Sequence, residues 1–265
     1  DGSYIFLNGR LTNNDQSTGL IVFSRSSSTP IWTAPTGTVS NDCCWWKHER
    51  NTMAISLDGE YITVVRRNSV FLYDIDSSLP IWTYQIPNAP TTERFYDVDI
   101  SKDGKIIAAT NSNGRTYVFD ANSSTPKYTF YQEGSEYGTV DLSYYGDFLV
   151  TNNRNQKTFL YNLSNGQALW YTENYAYHSY QNTHISLDAS KIFHFSSTGG
   201  WRAYIYNNSL AAERSIYPSS TPEITTNAVK LGWIPNGLNS SEFLFDIYVG
   251  TNSTDPSIYA SNLSF

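Results

Sequence analysis

The stretch "MAISLDGEYITVVRRNSVFLYDIDSSLPIWTY" (residues 53–84) decides the fold, because it holds four short strand patterns separated by turn residues. The patterns, A to D, are "AIS", "YITVV", "VFLYD" and "PIWTY", which are rich in β-branched and aromatic side chains. Between them lie "DG", "RN" and "SSLP", whose Gly, Asn, Ser and Pro residues favour tight turns. The stretch therefore predicts one four-stranded antiparallel sheet.

The same unit recurs along the chain. Further copies are "DVDISKDGKIIAATNSNGRTYVFDANSSTPKYTF" from 97, "GTVDLSYYGDFLVTNNRNQKTFLYNLSNGQALWY" from 138 and "NTHISLDASKIFHFSSTGGWRAYIYNNSLAAERSIY" from 182. The strand-D aromatic recurs at Trp32, Trp82, Tyr128 and Trp170, with spacings of 50, 46 and 42 residues. This period is typical of β-propeller blades. A sheet of four strands cannot bury both its faces alone, so we expect the sheets to stack radially with these aromatics between them.

The predicted fold is all-β: one propeller domain over residues 1–265 with six, or seven, four-stranded blades. The six predicted blades span approximately 1–35, 53–85, 97–131, 139–173, 183–217 and 228–265. The first lacks strand A and the last lacks strand D, so the terminal strands are incomplete. Three explanations stay open: the chain is a fragment of a longer propeller, the ring closes differently, or a neighbouring chain donates the missing strands.

The unit "IS-DG-YI...N-VFLYD--SS-PIW-Y" resembles the repeats of the WD40-like and PQQ-like (quinoprotein-like) β-propeller families. The resemblance covers nearly the whole chain and implies the propeller architecture. It implies no single activity, because propellers include enzymes, scaffolds and lectins. The Trp-Asp dipeptide and Gly-His pair of strict WD40 repeats are absent from this sequence, which disfavours an intracellular scaffold role.

Composition narrows the class of partner. The net charge of −7 argues against nucleic acid, since phosphate binding needs clustered Lys and Arg. No apolar window of about 18 residues predicts a membrane span. The opening "DGSYIF" has neither a Met nor a charged-then-apolar leader, as in a mature or trimmed chain. Two adjacent cysteines leave the redox compartment open.

The D-to-A connections are long and aromatic, and the propeller geometry implied by the resemblance places them on one face. Loops on a rigid scaffold commonly carry binding sites, and Tyr and Trp suit sugars or protein partners. The alternative is that these aromatics pack over the propeller as small cores. The candidate binding face comprises Trp45, Trp46, His48, Arg94, Tyr96, Tyr137, Tyr175, Tyr177 and His178.

The longest of these loops contains "CCWWKHE". Zinc binding by Cys43, Cys44 and His48 is disfavoured, because structural zinc sites normally separate their cysteines by two to four residues. PQQ-dependent alcohol dehydrogenases carry a vicinal cysteine pair, but their rings are far longer and their calcium site has no counterpart here. We therefore expect no cofactor. The pair is interpreted as a loop-stiffening vicinal disulfide, as packed thiols or as a crosslink to another chain.

One repeat position of strand A carries polar residues in several blades: Ala54, Asp99, Asp141, His184 and Lys230. Asp99, Asp141 and His184 are weak candidates for a cation site near the axis. The favoured alternative is that they hydrogen-bond to neighbouring backbone or pair across blades. The sequence contains no G-x-S-x-G, H-E-x-x-H or phosphate-binding glycine loop, so we predict that the chain is not an enzyme.

N-glycosylation sequons occur six times, and several lie at or beside the C-to-D turns, where sugars would surround one rim of a secreted protein. Asn and Ser also suit turns for conformational reasons, so that alternative stays open. The candidate acceptors are Asn122, Asn162, Asn207, Asn239, Asn252 and Asn262.

These features predict a non-enzymatic, extracellular structural glycoprotein, either a cell-surface or a filament-forming subunit. Its expected partners are further copies of itself or other surface proteins, held through strand and edge contacts. The alternative is a carbohydrate- or protein-binding propeller that uses the aromatic loop face. A PQQ- or metal-dependent enzyme is the least favoured of the three.

Overall fold

The computed structural model describes residues 3–10, 17–38, 52–90, 92–132, 138–152, 157–173, 181–196, 202–208, 245–250 and 257–263. Throughout these ranges the regular elements are β-strands. The strands are β1 (Tyr4–Arg10), β2 (Ser17–Ser24), β3 (Pro30–Thr38), β4 (Met53–Ile55), β5 (Tyr61–Arg66), β6 (Ser69–Asp74), β7 (Pro80–Gln85), β8 (Phe95–Ile100), β9 (Ile106–Asn111), β10 (Arg115–Asp120), β11 (Tyr128–Tyr131), β12 (Thr139–Leu142), β13 (Phe148–Asn152), β14 (Lys157–Asn162), β15 (Gln167–Glu173), β16 (Gln181–Ile185), β17 (Lys191–Ser196), β18 (Arg202–Asn207), β19 (Phe245–Gly250) and β20 (Ser257–Leu263).

The strands form five small sheets that follow one another along the chain. Sheet 1 contains β1–β3, sheet 2 β4–β7, sheet 3 β8–β11, sheet 4 β12–β15 and sheet 5 β16–β20. Pairing is antiparallel except between β18 and β19. The all-β prediction is confirmed. Among the described residues no sheet closes on itself, so the arrangement of the sheets as propeller blades stays a prediction.

Sheet 2 shows how the repeat sequence produces its strands. The turn between β4 and β5 needs the left-handed backbone of Gly59, at φ 78°, which glycine adopts without steric cost. The Asp58 carboxylate accepts a hydrogen bond from the Glu60 N–H at 3.0 Å, which fixes the turn. The turn sets the register of β4 and β5, which places Ile55 opposite Ile62.

Consecutive sheets pack face to face through four apolar clusters. Strand-D tryptophans contribute to them, with Trp32 stacked 6.0 Å from Tyr73 and Trp82 5.4 Å from Phe119, between ring centroids. The indole N–H of Trp82 also donates to the main-chain oxygen of Ala121 in the next sheet, at 2.7 Å. These tryptophans lie between sheets, as predicted.

The two ends of the chain differ in how they match the repeat pattern. In the described part of the chain, sheet 1 contains three strands, which correspond to B, C and D of the repeat and not to strand A, as predicted. Strands β19 and β20 occur where the sequence indicates them, but they extend sheet 5 instead of forming a sixth sheet over 228–265. Side-chain alternation identifies a strand but does not choose its partner, and the edge of β18 offers main-chain groups that β19 satisfies.

No helix that could cross a bilayer is found in the part of the chain that the structure describes.

Candidate functional site

The first strands of sheets 2 to 5 (β4, β8, β12 and β16) lie side by side and carry the polar repeat position. Ala54 occupies this position in β4, Asp99 in β8, Asp141 in β12 and His184 in β16. Lys230 lies outside the described residues. The structure thus brings Asp99, Asp141 and His184 together on neighbouring sheets.

The carboxylates of these strands connect one sheet to the next. Asp99 accepts a hydrogen bond from the Leu142 main-chain N–H, and Asp141 accepts one from the Ile185 N–H, each at 2.8 Å. An antiparallel edge strand leaves alternate N–H groups without a ladder partner, and these side chains provide one. Hydrogen bonding to neighbouring backbone was the favoured interpretation of this position, and the geometry agrees with it.

Asp97 makes a third connection that the sequence did not indicate, accepting from the Val140 N–H at 2.8 Å. It lies two residues before Asp99, at a register shift between Phe95 and Asp97 that rearranges the start of β8. The repeat alignment gave no signal for it, because the shift is specific to sheet 3.

The pKa values of Asp99 and His184 are both raised in this cluster. Burial, with the negative charge of Asp141 as the second cause, raises the pKa of Asp99 to about 8. The hydrogen bond to Asp141 raises the pKa of His184, whose Nδ1 lies 3.3 Å from the Asp141 carboxylate. Asp99 therefore holds a proton more readily than an exposed carboxyl does, and the Asp141 carboxylate faces the His184 ring.

This arrangement suits structural bridging better than cation binding. In each of Asp97, Asp99 and Asp141, one carboxylate oxygen already accepts a hydrogen bond from a main-chain N–H. Within the described ranges, no group of three or more His, Cys, Asp or Glu side chains is placed to hold a metal ion. The weak metal candidates Asp99, Asp141 and His184 therefore gain no support from the geometry.

A second polar network lies between sheets 4 and 5 and was not predicted. His194 is fully buried, with Nδ1 3.1 Å from the Thr158 hydroxyl and 3.3 Å from that of Thr183. The Asn152 amide donates to the Thr183 hydroxyl at 2.7 Å, so this hydroxyl can donate in turn to Nδ1. His194 Nε2 has no hydrogen-bond partner among the described residues. Burial lowers the pKa of His194 to about 4, which keeps the ring neutral.

The predicted binding face is described only in part. Tyr96 is 4% exposed and contributes to the interior of β8, so it offers no ring to a ligand. Arg94 is half-buried, and its main-chain N–H donates to the Ser112 hydroxyl at 3.2 Å. The remaining predicted residues and the cysteine pair lie outside the described residues: Cys43, Cys44, Trp45, Trp46, His48, Tyr137, Tyr175, Tyr177 and His178.

Beside this face lies a buried acid that the sequence did not single out. Glu93 is buried, and its carboxylate accepts from the Asn111 amide at 2.6 Å. Asn111 in turn accepts from the main-chain N–H groups of Asn113 and Arg115. The Glu93–Asn111 hydrogen bond therefore connects the loop between β7 and β8 to the turn between β9 and β10.

Three sequons have described side chains. Asn122 is exposed in the turn between β10 and β11, and Asn162 ends β14, where its oxygen accepts from the Ser164 N–H at 2.9 Å. Asn207 is half-buried at the end of β18, and its oxygen accepts from Lys191 Nζ at 2.5 Å. Asn239 and Asn252 lie outside the described residues, and only the backbone of Asn262 is described, in β20.

No protein-family model matches the chain, and comparison with curated proteins finds no significant match.

Proposed function

We propose that this chain is a non-enzymatic, extracellular structural protein that folds as a single β-propeller-type domain and self-associates through its terminal sheets. The repeat's resemblance to WD40-like and PQQ-like propellers supports the architecture. Its sheets stack in chain order through apolar faces, which is the packing that a propeller requires. The sequon at Asn122 lies exposed in a turn, where a secreted protein would carry a sugar, which supports an extracellular role.

One observation carries the proposal of self-association: in the described part of the chain, sheet 1 leaves apolar side chains exposed and one strand edge without a paired strand. Ile5 and Leu7 of β1 are 49% and 51% exposed. Among the described strands, β1 pairs with β2 alone, so its other edge presents main-chain groups. Such an edge is a template for pairing unless another chain covers it.

Native material would be tested for assembly by light scattering after size exclusion and by negative-stain electron microscopy. We expect species larger than one chain, with a fraction that grows with concentration. Intact mass measured on the same sample should exceed the 29.9 kDa of the polypeptide because of attached glycans. Unmodified, monodisperse monomers across the concentration range would overturn the proposal.

A further inference from the structure

Each sheet repeats the same cross-strand pair on the face that meets the preceding sheet. In sheet 2 this is Ile62 opposite Tyr73, and in sheet 3 it is Ile107 opposite Phe119. Sheet 4 has Leu149 opposite Tyr161, and sheet 5 has Ile192 opposite Tyr206. All eight side chains are buried. In each interface between consecutive sheets, the later sheet therefore contributes this same pair of side chains.

Sheet 1 carries this pair without a covering sheet among the described strands. Ile5 lies opposite Phe23, and Leu7 lies opposite Ile21. Phe6, the residue between Ile5 and Leu7, packs toward sheet 2, so strand alternation places Ile5 and Leu7 on the other side. These four residues, Ile5, Leu7, Ile21 and Phe23, form what we call the first-sheet face. Its composition matches the buried faces of sheets 2 to 5, yet Ile5 and Leu7 are about half exposed.

The opposite end of the stack has the complementary half. In sheet 4 the face toward sheet 5 contains the pair Val150 and Leu160, and in sheet 5 the corresponding pair is Phe193 and Ile205. His194 contacts Thr158 of sheet 4, so its neighbours Phe193 and Phe195 point away from sheet 4. Phe193 and Phe195 form what we call the fifth-sheet face.

The exposed part of the fifth-sheet face lies at Phe195, which is 41% exposed, whereas Ile205 is already buried within the chain. No apolar cluster of the described residues combines side chains of sheets 1 and 5. Ile5 and Leu7 of the first-sheet face and Phe195 of the fifth-sheet face therefore keep exposed apolar surface in a single chain.

We propose that the first-sheet face of one copy binds the fifth-sheet face of a second copy, which continues the internal stacking from chain to chain. This inference rests on the proposed self-association and names its two surfaces. The contact is heterologous, because different surfaces meet, so it generates rings or open filaments instead of closed dimers. A second copy is the favoured occupant, because it brings the side-chain pattern that the internal interfaces pair with this face.

The test blocks each face separately. The double variant Ile5→Glu/Leu7→Glu places charge on the first-sheet face, and Phe195→Glu does so on the fifth-sheet face. Each variant alone should be monomeric at concentrations where the wild type assembles. Mixed in equal amounts, they should form 1:1 dimers and nothing larger, because one open face remains on each partner. Light scattering and native mass spectrometry would measure both results.

Controls separate the possible failures. Ile81→Glu alters an outer-strand residue that is 48% exposed and lies on neither face, so this variant should assemble as the wild type does. If the glutamate variant fails to fold, Ile5→Thr/Leu7→Thr replaces it in the test. Threonine is suited to strands, and this variant should fold and assemble more weakly than the wild type. Circular dichroism checks the folding of each variant.

The outcomes distinguish this inference from the proposed function. A wild type that stays monomeric overturns both. Normal assembly of both blocked variants overturns this inference but leaves self-association through other edges standing. If Phe195→Glu assembles and Ile5→Glu/Leu7→Glu does not, the first-sheet faces meet each other in a symmetric dimer, which also overturns the inference.

Discussion

Gly146 and Gly59 occupy the same turn position in sheets 4 and 2, with φ values of 68° and 78°, but their surroundings differ. A Cβ at position 146 would lie 2.6 Å from the Cβ of Ile106 in sheet 3, whereas one at position 59 would have no neighbour within 4 Å. Gly59→Ala should cost only the left-handed strain, about 1 kcal/mol. Gly146→Ala should cost about 2–4 kcal/mol, because close contact with the next sheet is added. Urea unfolding of both variants measures the difference, and equal losses would contradict the tight inter-sheet contact.

His194 predicts how acid affects stability. Its folded pKa of about 4 lies below the ordinary value of 6.5, so the unfolded chain binds more protons between these pH values. Stability should therefore fall as pH decreases from 6.5 toward 4, by up to about 3 kcal/mol from this residue. His194→Gln has no such titration, so its unfolding free energy should depend less on pH over this window. Urea titrations at several pH values test this, and parallel pH profiles for the two proteins would refute it.

At the scale of elements, Asp141 links β12 to β16. Asp141→Ala leaves the Ile185 N–H without its partner and should destabilise the fold by about 1–3 kcal/mol. Asp141→Asn keeps an oxygen acceptor at this position and should cost clearly less. Both variants remove the charge that faces His184, so the pKa of His184 should fall in each. Denaturant unfolding and an NMR titration of the His184 ring supply the two readouts. An unchanged His184 pKa in Asp141→Asn would contradict the pairing.

Asp99 gives an opposite pH dependence in the neighbouring element, β8. Its pKa, raised to about 8 by burial and by Asp141, means that the folded state holds a proton that the unfolded state has released. Stability from this group is complete below about pH 4 and is lost as pH rises through about 8. Asp99→Asn cannot ionise and retains an acceptor for the Leu142 N–H. Its stability should therefore decline less than that of the wild type from pH 6 to 9 in denaturant titrations. An equal decline would show that Asp99 is already ionised.

Local patterns predicted the strands better than their connections. In sheet 2 the sequence indicated all four strands to within a residue, because alternation, turn glycines and "SSLP" act over a few neighbours. The partner of β19 was not predictable in this way, since the choice of edge depends on residues distant in sequence. Asp97 was missed and Tyr96 was misplaced at the start of β8, where the pairing with β9 shifts register between Phe95 and Asp97.

At the candidate site too, the sequence predicted the features set by the repeat and not those set by contacts between distant residues. The repeat alignment brought Asp99, Asp141 and His184 to one position, and the structure places them on adjacent strands. The repeat alignment did not indicate the buried network around His194. Its other members, Thr158, Thr183 and Asn152, come from three different strands. In the sequence they resemble ordinary polar strand or turn residues. Burial of a polar side chain depends on the neighbouring sheet, which sequence periodicity does not report.

At the scale of the whole molecule, the charge opposes association while the apolar end faces favour it. A net charge of −7 on each copy produces repulsion that salt screens over about 10 Å at 0.1 M. The contact between end faces is apolar and depends little on salt at such concentrations. Raising the salt from low to moderate ionic strength should therefore shift wild-type material toward larger species in light scattering. Dissociation by salt would instead indicate that ion pairs hold the copies together.

Association also links stability to protein concentration. A contact that forms only between folded copies stabilises the folded state by mass action, so the melting temperature should rise with protein concentration. Ile5→Glu/Leu7→Glu removes the contact, and its melting temperature should be the same at low and high concentration. The control Ile81→Glu should retain the wild-type dependence. Differential scanning calorimetry over a hundredfold concentration range measures all three. A wild-type melting temperature that does not depend on concentration would mean that the exposed first sheet gains no stability from a second copy.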